Sequence, residues 1–505
     1  MKALYGIDLG TTYSSIALIE AGAMPRIIPN ATGENSTPSV IYFDPDSDTI
    51  EVGAAAKEKS LLHSEQSAFL VKREMGQDAQ RVRKNIFDEY EPFSFRGRIW
   101  TPEELSGLIL KSLVAEANAA TGLEIKDVVI TVPAYFGSLE RQATRDAARI
   151  AGLTVHDLLN EPTAVAMVYG ALEAKAGERV LVVDLGGGTL DVTTMEVLEE
   201  AGEKKIAVRT TDGDRKLGGA DWDNAIMSWA LKRFEEKYFL NLVYMEDEDK
   251  RKAMAQLTRD SERAKIALST QPETGFPLIY GGQRLDLSLD QKTFRDLTAS
   301  LRDRVLFYCD RALAGMDKSK VTTLVLAGSM SHAPSVKAAV EAWFGRPAKE
   351  TGAVDPKFSV ALGAAHHGRK FLEKPAAAHE SAKEPSKTPT IINVIPRSLG
   401  IIAYNKEGKA VVDILLKGNT SYPTEISKSY SARTTGRDEI RVRVVEGDSS
   451  DPDMNDQLGS IILKPERDVR KGDELTVRFS YGSDGILLVS LRDNTSGLFV
   501  KQEIR

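Results

Sequence analysis

A short motif that occurs twice constrains this chain more than any other feature. An apolar strand pattern, the triplet Asp-Leu-Gly, a turn of small or polar residues and a second strand pattern follow one another in residues 5–18 and again in residues 182–193. Such turns let backbone N–H groups approach an anion, and an aspartate at a strand end can hold a hydrated magnesium ion. One such turn is usually only a turn, but the duplication, with Asp8 and Asp184 at equivalent places, indicates two facing lobes that clamp a polyphosphate and its metal.

The first three quarters of the chain mix strand and helix patterns. Residues 128–132 and 180–183 are short β-branched runs typical of buried strands. Apolar residues at helical spacing follow Thr101, with a proline and two acidic residues in the first turn, which predicts a capped helix there. Strands that alternate with helices favour an α/β fold whose sheets are covered by helices.

The C-terminal region has a different pattern. Residues 440–445, 475–479 and 487–492 alternate apolar and polar side chains between turn signals, which predicts a compact antiparallel β domain. Before it, residues 374–388 contain no large apolar side chain and are expected to form a solvated linker. The predicted organisation is an N-terminal domain over residues 1–373, a linker over 374–395 and a β-sandwich over 396–505.

Composition excludes several classes of protein. The chain has 505 residues, 42% of them hydrophobic and 28% charged, which is typical of a globular protein with several cores. Its net charge of −7 disfavours general nucleic-acid binding. No secretory signal or transmembrane segment is recognised, so no membrane partner and a cytoplasmic location are expected. The single cysteine, Cys309, lies in an apolar helical run and is expected to be a buried core thiol. No P-loop motif is present.

Several motifs, in order along nearly the whole chain, resemble those of the seventy-kilodalton heat-shock (DnaK-type) chaperones. They are Gly-Ile-Asp-Leu-Gly-Thr-Thr-Tyr-Ser at 6–14, Val-Pro-Ala-Tyr-Phe at 132–136, Asn-Glu-Pro-Thr at 160–163, Asp-Leu-Gly-Gly-Gly-Thr-Leu-Asp at 184–191, Leu-Gly-Gly-Ala-Asp-Trp-Asp at 217–223, Ser-Glu-Arg-Ala-Lys-Ile-Ala-Leu-Ser at 261–269 and Arg-Ser-Leu-Gly-Ile at 397–401. The short length and residues 69–76 are similar to the HscC-type branch.

The resemblance implies a two-lobed, actin-like α/β ATPase domain followed by a β-sandwich that binds extended apolar peptide. The implied function is that of an ATP-dependent chaperone of unfolded polypeptides, active in protein folding and the stress response, in which slow ATP hydrolysis switches peptide affinity. The implied cofactors are ATP or ADP and Mg²⁺, with K⁺ as a further candidate. The implied partners are unfolded polypeptides, a nucleotide-exchange factor and an atypical J-domain co-chaperone.

The resemblance also implies roles for individual residues. Asp8 and Asp184 would hold the hydrated magnesium, and the catalytic residues would be Lys72, Glu161, Thr189 and Asp191. The nucleotide would be bound by Gly10, Thr11, Thr12, Tyr13, Gly186, Gly187, Gly188, Gly219, Glu262, Lys265, Ile266, Ser269, Gly328 and Ser329. The peptide groove would be lined by Ile401, Tyr404, Tyr430, Ile440 and Val442, with Tyr404 narrowing the arch over the peptide.

Taken without the resemblance, these residues have simpler interpretations. Lys72 could be a solvated surface lysine, Glu161 could end a strand, and Glu262 with Lys265 could be an ordinary helix pair. The groove residues could be sandwich core, because strand faces are not fixed by sequence. Alternative functions are a small-molecule kinase of the actin-like superfamily, a filament former and a nucleotide-insensitive holdase or binding protein.

Four departures from the family pattern lead to further expectations. The helical lid after the sandwich is missing, so peptide should leave faster. Residues 389–394 lack the acid that ends the family's linker patch, so linker docking is expected to be weaker. Asp157 reverses the charge of a family arginine near the J-domain contact, which puts coupling to standard J-partners in doubt. Residues 327–334 lack an arginine of the adenine-side loop, so nucleotide affinity is expected to be lower.

Overall fold

The computed structural model describes residues 2–80, 83–84, 90–168, 175–200, 203–240, 242, 248–349, 355–372, 390–433, 435–482 and 485–504. The predicted linker segment 374–388 lies outside these residues. Residues 2–168 contain β1 (Ala3–Asp8), β2 (Tyr13–Glu20), β3 (Arg26–Ile27), β4 (Thr37–Pro38), β5 (Ile41–Phe43), β6 (Ile50–Val52), α1 (Ala54–Ser60), β7 (Ser67–Ala68), β8 (Arg83–Lys84), β9 (Tyr90–Glu91), β10 (Phe93–Phe95), β11 (Arg98–Trp100), α2 (Pro102–Thr121), β12 (Asp127–Val132), α3 (Ser138–Ile150), β13 (Thr154–Asn160) and α4 (Glu161–Val168).

The remaining elements fall into two groups. Residues 175–372 contain β14 (Arg179–Leu185), β15 (Leu190–Glu200), β16 (Glu203–Asp214), α5 (Gly219–Tyr238), α6 (Glu248–Ala267), β17 (Glu273–Tyr280), β18 (Gln283–Asp290), α7 (Gln291–Leu297), α8 (Ala299–Ala312), β19 (Val321–Ala327), α9 (Pro334–Phe344) and α10 (Ser359–Gly368). Residues 390–504 contain β20 (Thr390–Val394), β21 (Leu399–Tyr404), β22 (Ala410–Leu416), β23 (Ser421–Tyr422), β24 (Thr424–Ser431), β25 (Ile440–Glu446), β26 (Asp456–Leu463), β27 (Glu474–Tyr481), β28 (Leu487–Asp493) and β29 (Phe499–Ile504).

The repeated motif forms the centre of two mixed sheets. The first has the order β13-β12-β1-β2-β3, with β4 also paired to β2, and the second has the order β19-β14-β15-β16-β20-β23. In each sheet the motif forms an antiparallel hairpin, β1 with β2 in the first and β14 with β15 in the second. The first strand of each hairpin also pairs in parallel with a later strand, β1 with β12 and β14 with β19. The sequence repeat is therefore also a repeat of sheet topology.

Close packing of small residues joins the two sheets. Helix α10 lies on β1, where a Cβ atom at Gly6 would be 2.1 Å from the backbone N of Ala365. A Cβ atom at Gly363 would likewise be 2.1 Å from the carbonyl oxygen of Ala164 in α4. One apolar cluster includes Leu4 from β1 and residues of both sheets. Larger side chains at these glycines would push the helices away from the sheets and open the cleft between them.

Several local predictions are confirmed. Strands β12 and β14 cover the two β-branched runs, and α2 begins at Pro102 with Thr101 as its cap. The Thr101 hydroxyl accepts from the Glu104 N–H while the Glu104 carboxylate accepts from the Thr101 N–H, which satisfies two otherwise unpaired backbone donors. Cys309 is fully buried, and burial raises the pKa of its thiol to about 12. No helix among the described residues is long and apolar enough to span a membrane.

The C-terminal region consists of antiparallel sheets, as predicted. One sheet has the order β22-β21-β25-β26, the other has the order β24-β27-β28-β29, and both contribute to a single apolar core. Strands β25, β27 and β28 cover the three alternating segments. Their buried positions alternate with exposed ones, as expected for strands with one face on a core.

The segment that precedes these sheets is itself a strand. Although residues 389–394 lack the acid of the family pattern, β20 pairs in parallel with β16, with Ile391 opposite Ile206. It also pairs with β23, so it joins the second mixed sheet to the C-terminal region. The loss of the acid therefore does not prevent docking of this segment, because strand pairing uses backbone groups that every residue here supplies.

Candidate functional site

The turns of the two repeated hairpins meet face to face. A Cβ atom at Gly187 would be 1.9 Å from Thr12 Oγ1, and one at Gly188 would be 2.2 Å from Thr11 Cγ2. No side chain fits at either glycine, so both must be glycine for the turns to approach this closely. This contact brings the Asp-Leu-Gly triplets of both halves to one place.

Local hydrogen bonds hold each turn in shape. In the first, the Gly10 N–H donates to Ser14 Oγ at 3.1 Å and the Ser39 hydroxyl donates to the Gly10 carbonyl at 2.8 Å. In the second, the Gly186 N–H donates to the Thr189 carbonyl, and the Gly219 N–H donates to the Gly186 carbonyl, both at 3.0 Å. The second turn is therefore tied to the beginning of α5. Thr11 and Thr189 are both buried beside these turns.

Beside the turns, four carboxylates surround one lysine. We call this group the carboxylate cluster, and its members are Asp8, Lys72, Glu161, Asp184 and Asp191. Lys72 Nζ lies 2.5 Å from Glu161 Oε1, and both side chains are less than a tenth exposed, at 6% and 8%. Asp184 and Asp191 are also buried. The interpretation of Lys72 as a solvated surface lysine is therefore wrong, and Glu161, the first residue of α4, also forms a buried ion pair.

Burial and mutual repulsion set the protonation of the cluster. Burial, with the charge of Glu161 second, raises the pKa of Asp8 to about 7 and those of Asp184 and Asp191 well above the ordinary range. Burial lowers the pKa of Lys72, but the facing Glu161 and Asp8 outweigh it and keep that pKa above its usual value. These raised pKa values mean that the cluster resists ionisation of all its carboxyl groups together, and a bound cation would relieve that repulsion.

Backbone donors fix the position of Asp191. Its Oδ1 accepts from the Ala134 N–H at 2.7 Å and from the Tyr135 N–H at 3.4 Å. Among the described residues, its Oδ2 forms no hydrogen bond. The hydroxyl of Tyr135 is buried without a partner in the described part of the chain. The Val-Pro-Ala-Tyr-Phe motif thus orients a carboxylate of the other half.

Arg73 is a residue of this site that the sequence did not single out. Its Nε donates to the Gly188 carbonyl at 2.9 Å, and its guanidinium pairs with Asp221 at 2.6 Å. Asp221 in turn accepts from the Gly218 N–H at 2.7 Å, at the start of α5. Arg73 therefore ties the Lys72 segment to the second glycine turn. Only its position next to Lys72 could have indicated this role.

The residues predicted to form the adenosine wall lie on and beside α6. Lys265 Nζ donates to the Gly219 carbonyl at 3.0 Å and pairs with Asp223 at 2.8 Å, so the helix-pair interpretation of Glu262 with Lys265 is wrong. Ile266 is 61% exposed, and Ser269 lies just beyond the end of α6. Gly328 has a φ of 79°, and a Cβ atom there would be 2.4 Å from Asp184 Oδ1, while the neighbouring Ser329 is exposed.

Lys57 links this wall to the other half of the molecule. Its Nζ lies 2.7 Å from Glu262 Oε2 on α6 and donates to the Tyr13 hydroxyl at 2.8 Å. Lys57 belongs to α1, far from Glu262 in the sequence. Because nothing in the local sequence distinguishes it from other surface lysines, sequence analysis did not identify it. The contact joins the two halves of the molecule beside Tyr13, at the end of the first turn.

The residues present fit a nucleotide and a hydrated magnesium ion. Mg²⁺ is usually held by one or two carboxylates and keeps several waters, and Asp8 and Asp184 offer two such carboxylates at one place. Within the described residues no group of three or more His, Cys, Asp and Glu side chains has the spacing of a metal centre. Asp223 Oδ1 and Ser261 Oγ are buried polar atoms without a partner in the described residues, at the α5–α6 side of the cleft.

The predicted peptide-groove residues divide into three groups. Ile401 and Val442 are buried in the C-terminal core, with 3% and 9% exposure. Tyr430 and Ile440 are partly buried at the edge of that core. Tyr404 is 49% exposed. Ile401 and Val442 are therefore core residues, whereas Tyr404, Tyr430 and Ile440 present part of their surface to solvent.

A buried carboxylate connects the C-terminal region to the N-terminal one. Glu446, at the end of β25, accepts from the Ser138 N–H at 3.2 Å, at the start of α3. A Cβ atom at Gly137 would be 2.0 Å from Glu446 Oε2, so the contact requires a glycine there. Asn419 Oδ1 also accepts from the Thr211 N–H in β16 at 3.0 Å. Sequence patterns contain no sign of these contacts.

Asp157, the reversed charge noted in the sequence, is engaged within the chain. It lies 2.8 Å from His367 Nε2 and 3.0 Å from Lys370 Nζ. Burial opposes its ionisation, but these two partners outweigh burial and lower its pKa to about 2. Lys370 thus forms an intramolecular ion pair with Asp157 at this position.

Comparisons with known proteins agree with this arrangement. A family model for the Hsp70 protein matches residues 4–505. The chaperone protein dnaK of Guillardia theta is 34% identical over 522 aligned residues, which cover 98% of this chain and 78% of that relative. Both similarities extend through the hairpin turns, the carboxylate cluster and the C-terminal sheets.

Proposed function

The chain belongs to the Hsp70 family of ATP-dependent chaperones and is an ATPase, and we propose how its parts divide that work. Residues 1–373 would form a two-lobed, actin-like ATPase domain, residues 396–505 a peptide-binding β-sandwich, and residues 374–395 the connection between them. The repeated sheet topology supports the two-lobed assignment, and the two sheets around one core support the sandwich.

We assign the nucleotide to the cleft between the two mixed sheets. The facing turns of Gly10–Tyr13 and Gly186–Thr189 would offer backbone N–H groups to the phosphates. Glu262, Lys265, Ile266, Ser269, Gly328 and Ser329 would surround the adenosine, with Gly219 beside them. Magnesium held near Asp8 and Asp184 would supply the positive charge that neutralises the phosphates. Binding of K⁺ as a further cofactor stays a prediction from the family resemblance.

The carboxylate cluster would carry out hydrolysis. Lys72 would add positive charge near the terminal phosphate and hold Glu161 at a fixed distance by their ion pair. Asp191, oriented through its Oδ1, would accept the proton of the attacking water at Oδ2. Its raised pKa makes it a stronger base than an ordinary aspartate, and Thr189 would lie at the terminal phosphate.

Peptide binding would take place at Tyr404, Tyr430 and Ile440, above Ile401 and Val442. ATP can change peptide affinity only if the nucleotide favours one arrangement of the two regions. Strand β20 and the Glu446–Ser138 contact join these regions and are the candidates for that coupling. Unfolded polypeptides and co-chaperones are the partners of Hsp70 proteins. We propose a cytoplasmic role in the stress response. We also propose an atypical J-domain partner, because the acidic Asp157, which pairs with Lys370, stands where the family pattern has an arginine.

The observation that carries the catalytic proposal is the buried Lys72–Glu161 pair beside the two turns. Lys72→Ala should abolish ATP turnover in a single-turnover assay while retaining ADP binding. Because removing one partner of a buried pair costs roughly 3–5 kcal/mol, Glu161→Gln, which keeps the side-chain size, is the second variant and should also lose most turnover. Lys59→Ala, which breaks a surface pair, is the control. Unchanged turnover in both cluster variants would contradict the mechanism.

A further inference from the structure

A tyrosine and an arginine stack on each other where the two C-terminal sheets meet. Tyr404 ends β21 of one sheet, and Arg433 follows β24 of the other. The guanidinium carbon of Arg433 lies 3.7 Å from the centre of the Tyr404 ring, within the range of a cation–π contact. The pair connects the two sheets at their exposed edge, and we call it the Tyr404–Arg433 bridge.

The bridge adjoins the apolar surface of the proposed peptide site. Tyr430 lies in β24, the strand that leads to Arg433, and is partly buried against the core together with Ile440. On the other side, Gly408 in the turn between β21 and β22 has a φ of 80°, and a Cβ atom there would be 4.0 Å from the Arg433 guanidinium. An extended segment that contacts Tyr430 and Ile440 would therefore run close to this guanidinium.

Arg433 differs from Arg437 and Arg441 because its charge is not compensated. Arg437 pairs with Asp468 at 3.0 Å, and Arg441 pairs with Glu439 at 2.7 Å. Arg433 is exposed, and no carboxylate among the residues that the structure describes forms an ion pair with it. The bridge therefore presents an uncompensated positive charge.

The nearby acid on β22 does not provide this compensation. Asp413 accepts from Lys428 at 2.8 Å and from the Tyr430 hydroxyl at 2.7 Å, so both of its oxygens are engaged. The Tyr404 ring lies against the Arg433 guanidinium without accepting an ion pair from it, so the guanidinium N–H groups stay available to a charged acceptor. A carboxylate is the acceptor that matches this planar fork best.

We infer that the Tyr404–Arg433 bridge makes this chaperone select apolar segments that are flanked by acidic residues. The apolar side chains would bind at Tyr430 and Ile440, while a flanking carboxylate would bind the Arg433 guanidinium. A flanking lysine would meet the same charge and be disfavoured. The inference rests on the proposed peptide site and adds to it the class of peptide that the site prefers.

Three fluorescent peptides test this selectivity on the full chain in ADP. They share a Leu- and Ile-rich core and differ only in flanking Asp, Asn or Lys residues. The Asp peptide should bind about fivefold more tightly than the Asn peptide, as expected for one exposed ion pair, and the Lys peptide should bind most weakly. The difference should shrink at high salt, because exposed charge pairs are screened.

Two variants and a control attribute the effect to the bridge. Arg433→Gln should bind the three peptides equally, and Tyr404→Ala should reduce both the affinity and the charge preference, because the guanidinium loses its support. Arg437→Gln should keep the wild-type preference. An equal or reversed preference in the wild type, or an undiminished preference in Arg433→Gln, would overturn the inference while leaving the peptide site intact. If none of the peptides binds, the proposed peptide site itself fails and the inference with it.

Discussion

Gly187 and Gly188 are glycines because the side chains of Thr12 and Thr11 in the facing turn pack directly against them. The distances to Thr12 and Thr11 leave no space for a methyl group. Gly186, next in the same turn, is different, because a Cβ atom there would have its nearest contact at 3.7 Å. The tertiary contact therefore requires glycine at positions 187 and 188 but not at position 186. The sequence alone does not distinguish the three positions.

Substitution of these glycines should give unequal effects on stability. Gly187→Ala should lower the melting temperature of the nucleotide-free protein by several degrees, because overpacking typically costs about 1–3 kcal/mol. Gly186→Ala is the matched control and should change it little, since its methyl group meets only ordinary contacts. Thermal unfolding followed by circular dichroism measures both. Equal melting temperatures for the two variants would contradict the face-to-face contact.

Lys57 offers a second test at the scale of single residues. Its partner Glu262 lies on the other half of the molecule, so Lys57→Ala should release a labelled ADP faster, by up to about fivefold for a pair that is roughly one third exposed. Lys59, in the same helix, pairs with Glu51 on the same side of the cleft, and Lys59→Ala should leave release unchanged. Stopped-flow displacement of labelled ADP measures the rates. A similar acceleration in both variants would show that the cleft contact is not the cause.

At the scale of elements, the end of β25 meets the beginning of α3 through Glu446. Burial raises the pKa of this carboxyl to about 7, with Arg397 opposing the shift and Glu140 adding to it. Arg397 itself pairs with Asp456, which also raises the pKa of Glu446. The Glu446 carboxyl group therefore binds a proton more tightly than the carboxyl group of a solvent-exposed glutamate.

The raised pKa of Glu446 determines how docking of the two regions depends on pH. Glu446 is protonated more readily in the docked arrangement, so its contribution to docking is fully present below its ordinary pKa, near 4.3, and is lost as the pH rises through about 7. Docking should therefore weaken between pH 5 and pH 8. Glu446→Gln imitates the protonated group and should dock more tightly than the wild type at pH 8, with less dependence on pH.

Fluorescence energy transfer between dyes on the two regions can follow this docking across the pH range. Glu439→Gln, an exposed substitution near the beginning of the same strand, is the control and should retain the wild-type pH dependence. If docking of the wild type strengthens as the pH rises, the assignment of the proton to Glu446 is wrong. The assignment is also contradicted if docking of Glu446→Gln depends on pH in the same way as docking of the wild type.

At the scale of the whole molecule, β20 is a backbone connection between the second mixed sheet and the C-terminal region. Ile391 is partly buried against the cluster shared by both mixed sheets, whereas Thr390 next to it is exposed. A change in the cleft can therefore reach the C-terminal sheets through a strand that belongs to both.

Interruption of this strand should uncouple the two sites. The wild type should release a bound apolar peptide faster in ATP than in ADP, and Ile391→Asp should bring the two rates together, because an unpaired carboxylate is costly at a partly buried apolar position. Thr390→Asp adds the same charge at an exposed position and should retain the difference between nucleotides. If Ile391→Asp retains the full difference, coupling does not depend on this strand.

The sequence by itself determined the repeated hairpins, the capped helix after Thr101, the antiparallel pattern of the C-terminal region and the family. These are local or repeated patterns, and their physical causes act over a few neighbouring residues. The sequence also indicated Asp8 and Asp184 as equivalent carboxylates, because their surroundings repeat. Lys72 and Glu161 came only from resemblance, since neither has a local pattern that distinguishes it from a surface residue.

The tertiary structure alone decided which distant groups meet. The ion pair of Lys72 with Glu161, the clamp of Arg73 on the second glycine turn and the stack of Arg433 on Tyr404 each join residues from separate parts of the chain. A charged side chain is ordinary in sequence and acquires its pKa and its role from burial and from the partner that the fold brings to it. For that reason the sequence alone predicts only part of the chemistry of this chain.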